Sequence, residues 1–194
     1  MATTMDPGSA VRALPYPGQG SMWFFVIGEL WIFACYFACY VYERAHDAAA
    51  FMDGQRLLSP GFGVLNTVIL LTSSLFVAIG AKATRAGEFE TASRFLALGG
   101  ACGVAFMLTK ASEWRMEVGA GFPASTRSFF TYYFMLTGLH YLHVSLGLVI
   151  LVLGWRELRR RKSPRASFVE AVATYWHMVD ALWMAIFAAL YLMR

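Results

Sequence analysis

Five apolar stretches, each long enough to cross a lipid bilayer, constrain this chain more than any other feature. A hydrocarbon core of about 30 Å requires about 20 apolar residues in a helix rising about 1.5 Å per residue. Residues 22–42, 62–81, 95–114, 129–155 and 168–193 meet that length. Their apolar positions follow helical spacing rather than the dyad alternation of a membrane β-barrel. Turn residues separate them: Asp53-Gly54 and Ser59-Pro60-Gly61, then Gly87, then residues 119–123, then Ser163-Pro164. The reading is an all-α integral membrane bundle of five transmembrane helices in one domain, 22–194. Residues 1–21, polar and rich in Pro and Gly, lack the apolar stretch and cleavage site of a signal peptide and are expected to form a flexible cytoplasmic tail.

Composition matters here for what it excludes. With 58% hydrophobic and 14% charged residues among 194, the chain carries more apolar surface than one small water-soluble core can hide. Cys35, Cys39 and Cys102 all lie inside apolar runs and read as small hydrophobes, with no disulfide framework. The basic residues gather in one interhelical loop rather than over a surface, which argues against nucleic-acid binding. They also orient the bundle. Arg12, Lys82, Arg85, Arg94, Arg156, Arg159, Arg160, Arg161, Lys162 and Arg165 fall on the side of the N-terminus. Only Arg44, Arg56, Arg115, Arg127 and Arg194 fall on the other. The positive-inside rule therefore predicts a cytoplasmic N-terminus in a bacterial inner membrane.

Ionisable side chains within membrane spans are costly, by at least about 2.5–3.5 kcal/mol on insertion scales, and each marks a possible functional position. This chain has Glu29, Lys110, Glu113, His140, His143, His177 and Asp180. The helix rise puts Glu29 and His177 roughly 10–14 Å from the cytoplasmic end and His143 and Asp180 near the midplane. His140 and Lys110 lie beyond it, and Glu113 near the outer surface. Matching depths predict that Glu29 pairs with His177 or with a partner subunit. Within helices, His140 with His143, His177 with Asp180, and Lys110 with Glu113 are each i, i+3 neighbours on one face. Gly138 and Gly147 flank the histidine face of the fourth span and are expected to admit a close helix.

Several chemistries fit these residue types. The three buried histidines with a carboxylate can ligate a metal, but there is no Glu-x-x-His repeat and their depths spread over about 10 Å. A histidine pair can hold haem. Cys35 and Cys39 have the spacing of a dinuclear copper loop, yet lie on a membrane helix without an adjacent histidine. A proton relay lacks a ladder from side to side. An independent transporter or redox enzyme built on His140, His143, His177 and Asp180 is the remaining active alternative. The plainer reading is a polar network that locks the helices together and meets lipid or a partner subunit, with no metal and no redox cofactor.

The residues then show a resemblance. SFFTYYFMLTGLHYLHVSLG (128–147) and ATYWHMVDALWMAIFAALY (173–191) resemble the T-G-x-H-x-x-H-V and Y-W-H-F-V-D-x-x-W segments of subunit III of haem–copper cytochrome oxidases. GSMWFFVIGELWIF (20–33) is similar to the helix carrying that family's buried carboxylate, here Glu29. LNTVILLTSS (65–74) and AFMLTKASEW (105–114) resemble the following two helices. The resemblance implies a non-catalytic subunit without haem, copper or other redox cofactor, holding phospholipid. Its implied partner is the haem-containing large catalytic subunit of an oxidase, where it helps sustain proton uptake. The long forms of the family have seven helices; this chain has the last five, as in quinol oxidase subunit III, actinobacterial forms and the NorE-type proteins associated with nitric oxide reductase. Lys110 where glutamine is usual, Gly28 before Glu29 where serine is usual, Trp114 in place of tyrosine and short loops incline the reading to the NorE-type branch, with an aerobic oxidase as the alternative.

Overall fold

The computed structural model describes residues 19–123, 128–161 and 164–193, so residues 1–18 of the expected tail lie outside it. Six α-helices follow one another: α1 (Gln19–His46), α2 (Ala48–Leu57), α3 (Pro60–Arg85), α4 (Phe89–Gly119), α5 (Ser128–Arg160) and α6 (Ala166–Phe187). A π-helical turn (Ala188–Leu192) ends the last. Five of them, all but α2, are long and apolar enough to cross a membrane. The helices outrun the predicted spans at most ends, because charged and polar turns extend each helix past the hydrocarbon.

The short helix α2 corrects the reading of Asp53-Gly54 as a turn. Asp47 caps it, its carboxylate accepting from the Ala50 N–H at 3.1 Å, and three alanines supply the first turn. Gly54 is there for contact rather than for a turn: a Cβ at that position would lie 2.5 Å from the Phe129 ring. The predicted break at Ser59-Pro60 is found, with Pro60 in the first turn of α3. Gly87 and Gly121 take left-handed conformations (φ 80° and 88°) in the connections after α3 and α4, which a β-carbon would strain.

The bundle is organised around α6. Two-thirds of its apolar window is buried (67%), against 17% for α1. The α3–α4 pair is closely packed through small residues: Gly80 lies under Leu96, Gly99 lies under Val77, and the Ser73 hydroxyl donates to the Gly99 carbonyl at 2.7 Å. Helix α1 instead lies at the periphery and packs through a narrow stripe, Val26, Phe33 and Tyr40, spaced by seven. Its Trp23, Phe24, Ile27 and Trp31 face outward.

Two ion pairs fix which helix ends share a membrane face. Arg85 at the end of α3 meets Glu170 near the start of α6 at 3.3 Å, and Arg159 at the end of α5 meets Glu90 at the start of α4 at 3.7 Å. Trp23 of α1 lines the same crevice as Arg85 and Glu170. The opposite face carries α2, the end of α4 and the start of α5.

Candidate functional site

The buried polar residues fall into three assemblies. The first occupies the half of the bundle near α2. Lys110 and Glu113, one helical turn apart on α4, are 0% and 1% exposed, and the Lys110 ammonium donates to Glu113 Oε2 at 3.0 Å. The same ammonium donates to the hydroxyl oxygens of Tyr133 (3.1 Å) and Tyr191 (3.0 Å). Those hydroxyls in turn donate to Glu113 Oε1, Tyr133 at 2.9 Å and Tyr191 alongside it. All three ammonium protons are used, and both carboxylate oxygens accept. The rings of Tyr133, Trp183 and Tyr191 also present to the cation at 4.7, 5.3 and 5.5 Å. The circuit is closed within α4, α5, α6 and the π-turn. The expected i, i+3 pair is therefore present; the two tyrosines that complete it, and the buried Glu117 one turn on, were not singled out by sequence.

The π-turn is what carries Tyr191 to this circuit. Its wide turn closes by the Met193 N–H donating to the Ala188 carbonyl at 3.0 Å, five residues back. The carbonyls of Ala189 and Leu190 are left for other donors. Gln55 Nε2 of α2 donates to both (3.1 and 3.2 Å), and the Tyr40 hydroxyl of α1 donates to that of Ala189 (3.0 Å). Gln55 lies between the predicted spans, and α2 makes it a buried latch.

The second assembly joins α1 to α5. His143 Nδ1 lies 2.7 Å from the Leu139 carbonyl, and Nε2 lies 2.9 Å from Glu29 Oε2. A carbonyl only accepts, so Nδ1 carries a hydrogen, and a single proton is left to share between Nε2 and the Glu29 carboxyl. Sequence depth had matched Glu29 with His177. The structure corrects this, since the His177 side of α6 faces α3 while Glu29 reaches past α6 to α5. Tyr175 of α6 supports the assembly, its hydroxyl donating to the His143 carbonyl at 3.4 Å.

The third assembly lies between α3 and α6. His177 Nδ1 and the Ser74 hydroxyl are 2.7 Å apart. Asp180, one turn further, is 5% exposed; neither of its oxygens has a hydrogen-bond partner among the described residues, and Ser74 is the polar side chain beside it. The expected acceptance of a His177 hydrogen by Asp180 is not seen: the bond His177 makes is from Nδ1 to Ser74. Nearby, the Trp176 and Trp183 indoles donate to Ser73 and Thr67 (3.0 Å each), pinning α6 to α3. Asn66 bonds Thr109 across α3 and α4.

His140 belongs to none of these. It is fully buried, edge-on to Phe106 and tilted against Trp183, and neither ring nitrogen has a partner among the described residues. Although His140 and His143 share one side of α5, the first faces α4 and α6 and the second faces α1. Among the described residues no three of His, Cys, Asp or Glu converge as a metal-ligand group. Of the two flanking glycines, only Gly147 admits a close neighbour: a Cβ there would sit 2.9 Å from the Trp176 ring, whereas Gly138 faces open space.

Comparison with known proteins matches residues 18–194 to the family model described as cytochrome c oxidase subunit III. The chain belongs to that family. It is 32% identical over 176 residues to cytochrome c oxidase subunit 3 of Synechocystis sp., covering 87% of this chain and 72% of that protein. It is 28% identical over 173 residues to cytochrome bo(3) ubiquinol oxidase subunit 3 of Pseudomonas aeruginosa, with 88% and 82% covered. With the probable cytochrome c oxidase subunit 3 of Mycobacterium bovis, it shares 28% identity over 190 residues, covering 96% and 94%. The subunit III family match takes in all three assemblies, from Glu29 to Tyr191.

Proposed function

We propose that this chain is a non-catalytic membrane subunit of a haem–copper respiratory oxidase, assembling with a haem-containing large catalytic subunit. The subunit III match over residues 18–194 carries the reading. The relatives include proteins named for both cytochrome c and ubiquinol oxidases at similar identity, so what they share with this chain is independent of the electron donor. The buried polar groups support the same role. Glu29, Lys110, Glu113, His143 and His177 are each bonded to a neighbouring element of the chain, as an assembly scaffold requires. The basic helix ends favour a cytoplasmic N-terminus in a bacterial inner membrane, and the outward apolar face of α1 favours contact with lipid or another subunit, with bound phospholipid rather than a redox cofactor.

Affinity purification of the tagged chain from native membranes in mild detergent tests this. A haem-containing large subunit, visible by its Soret band, is expected to co-purify and to reduce oxygen. Recovery of the chain alone across several mild detergents overturns the proposal. The second reading, an association with nitric oxide reductase, rests on the charged Lys110–Glu113 circuit; a co-purified haem protein that reduces nitric oxide rather than oxygen would select it.

A further inference from the structure

A polar crevice at the start of α6 has no part in the roles above. It has a volume of about 360 Å³ and lies between Trp23 of α1, Ala78 and Arg85 of α3, and Glu170, Thr174 and His177 of α6. The Arg85–Glu170 ion pair stands at its mouth, with side chains 65% and 30% exposed. His177 lies seven residues further along α6, about 10 Å deeper at the helix rise. A water takes about 30 Å³ of liquid, so several fit between. At the inner end the imidazole turns Nδ1 to the Ser74 hydroxyl, 2.7 Å away. Beside Ser74 lies Asp180, about 15 Å from the level of Glu170 and so near half the depth of a hydrocarbon core of about 30 Å. Glu29 and Glu113 are each hydrogen-bonded within the bundle, whereas Asp180, 5% exposed, has no partner for either oxygen among the described residues. A carboxylate placed only to tie helices together would be bonded as those two are. An unpaired carboxylate in an apolar interior is costly, and one proton removes that cost.

We propose that this crevice is a proton inlet ending at Asp180, whose carboxyl takes up and releases one proton through Ser74 and His177. Inward, a hydronium in the crevice gives a proton to His177 Nε2 and leaves water. Nδ1 then passes its hydrogen to the Ser74 oxygen while the Ser74 O–H passes its own to Asp180. What remains is a neutral imidazole, an intact hydroxyl and a protonated carboxyl; release reverses each transfer. A hydroxyl both donates and accepts, as the middle position requires, and an imidazole carries hydrogen on either nitrogen. The other charged groups on the packed elements are engaged elsewhere. Arg85 and Glu170 bond each other at the mouth, Glu29 of α1 bonds His143 of α5, and Lys110 of α4 is held by Glu113. His140 of α5 lies against Phe106 and Trp183. None of them bonds Asp180. The inlet runs from one face to mid-depth only, so it stores a proton rather than carrying one across.

The test uses the full chain alone in detergent, followed by infrared difference spectroscopy after a rapid pH jump, so its outcome is independent of which large subunit the chain joins. The carbonyl stretch of a protonated carboxyl is expected to appear at acid pH and vanish at alkaline pH. Asp180→Asn should remove that band, and Glu29→Gln should keep it. In His177→Ala the band should persist but respond about 100-fold more slowly, and free imidazole added to the buffer should restore the rate, which a merely structural histidine would not allow. Ser74→Ala should be slow as well, without rescue by imidazole. A spectrum of Asp180→Asn equal to that of the unaltered chain overturns the protonation site. An unchanged rate in His177→Ala, or a slow rate that imidazole leaves slow, overturns the inlet. Thermal unfolding reports whether the variants fold; should Asp180→Asn fail, the rate and rescue of His177→Ala decide.

Discussion

The Lys110–Glu113 circuit and the Glu29–His143 bond place similar charges in opposite halves of the bundle, yet they are built in opposite ways. The first sits among the most buried helices and is closed by two tyrosines and three aromatic faces, so every donor and acceptor is used. The second is a single side-chain bridge, with the His143 imidazole otherwise bonded only to the Leu139 carbonyl of its own helix, and it holds a peripheral helix that packs through a seven-residue stripe. Charge in the core is stabilised by completeness; charge at the edge acts as a fastener. Removing one member should therefore propagate through the bundle in the first case and stay local in the second.

The largest effect is expected from separating the core pair. Lys110→Met strands Glu113, and Glu113→Gln strands the ammonium, each at about 3–5 kcal/mol. The double variant should recover most of that loss, because the glutamine carbonyl still accepts from Tyr133 and Tyr191. Thermal unfolding in detergent measures all three, and additive losses would mean the two residues do not act as a pair. At the edge, Glu29→Ala should cost about 1.5–3 kcal/mol, seen as faster hydrogen exchange in α1 with little change in α4 to α6. If protection of α1 is unaltered, the stripe of Val26, Phe33 and Tyr40 holds the helix without the bridge. The smallest effect belongs to Ser74→Ala, which removes the His177 partner at about 0.5–1.5 kcal/mol. A loss as large as that of Lys110→Met would show that the α3–α6 contact belongs to the core and not to its margin.

What sequence could show here follows from how far each partner lies along the chain. The five spans were legible because length and apolar content are local properties, and Lys110 with Glu113 because a helix places i and i+3 together wherever it sits. Glu29 and His143 are 114 residues apart. Helix rise gives each a depth but not the direction in which it points, so the depth argument chose His177. Tyr133 and Tyr191 were passed over because a tyrosine in an apolar run reads as packing; only three dimensions show their hydroxyls meeting one carboxylate. Helix α2 was obscured by Asp53-Gly54, although Asp47 followed by three alanines was a usable start signal. The family resemblance supplied the order of helices, yet not which buried groups bond.

The wide turn at the end of α6 has a consequence for how the chain tolerates change. It amounts to one residue inserted into a regular helix, and each residue of helix advances the azimuth by about 100°. Deleting one residue from 188–190 would let the segment wind normally, swinging the Tyr191 hydroxyl off Lys110 and Glu113. The same rewinding would draw the Ala189 and Leu190 carbonyls back into the helix and release Gln55 and Tyr40. A single phase slip would thus undo contacts with α1, α2 and α4 together. Conservative substitutions at 188–190 and 192 leave its phase untouched, so outside Tyr191 spacing matters more here than residue identity.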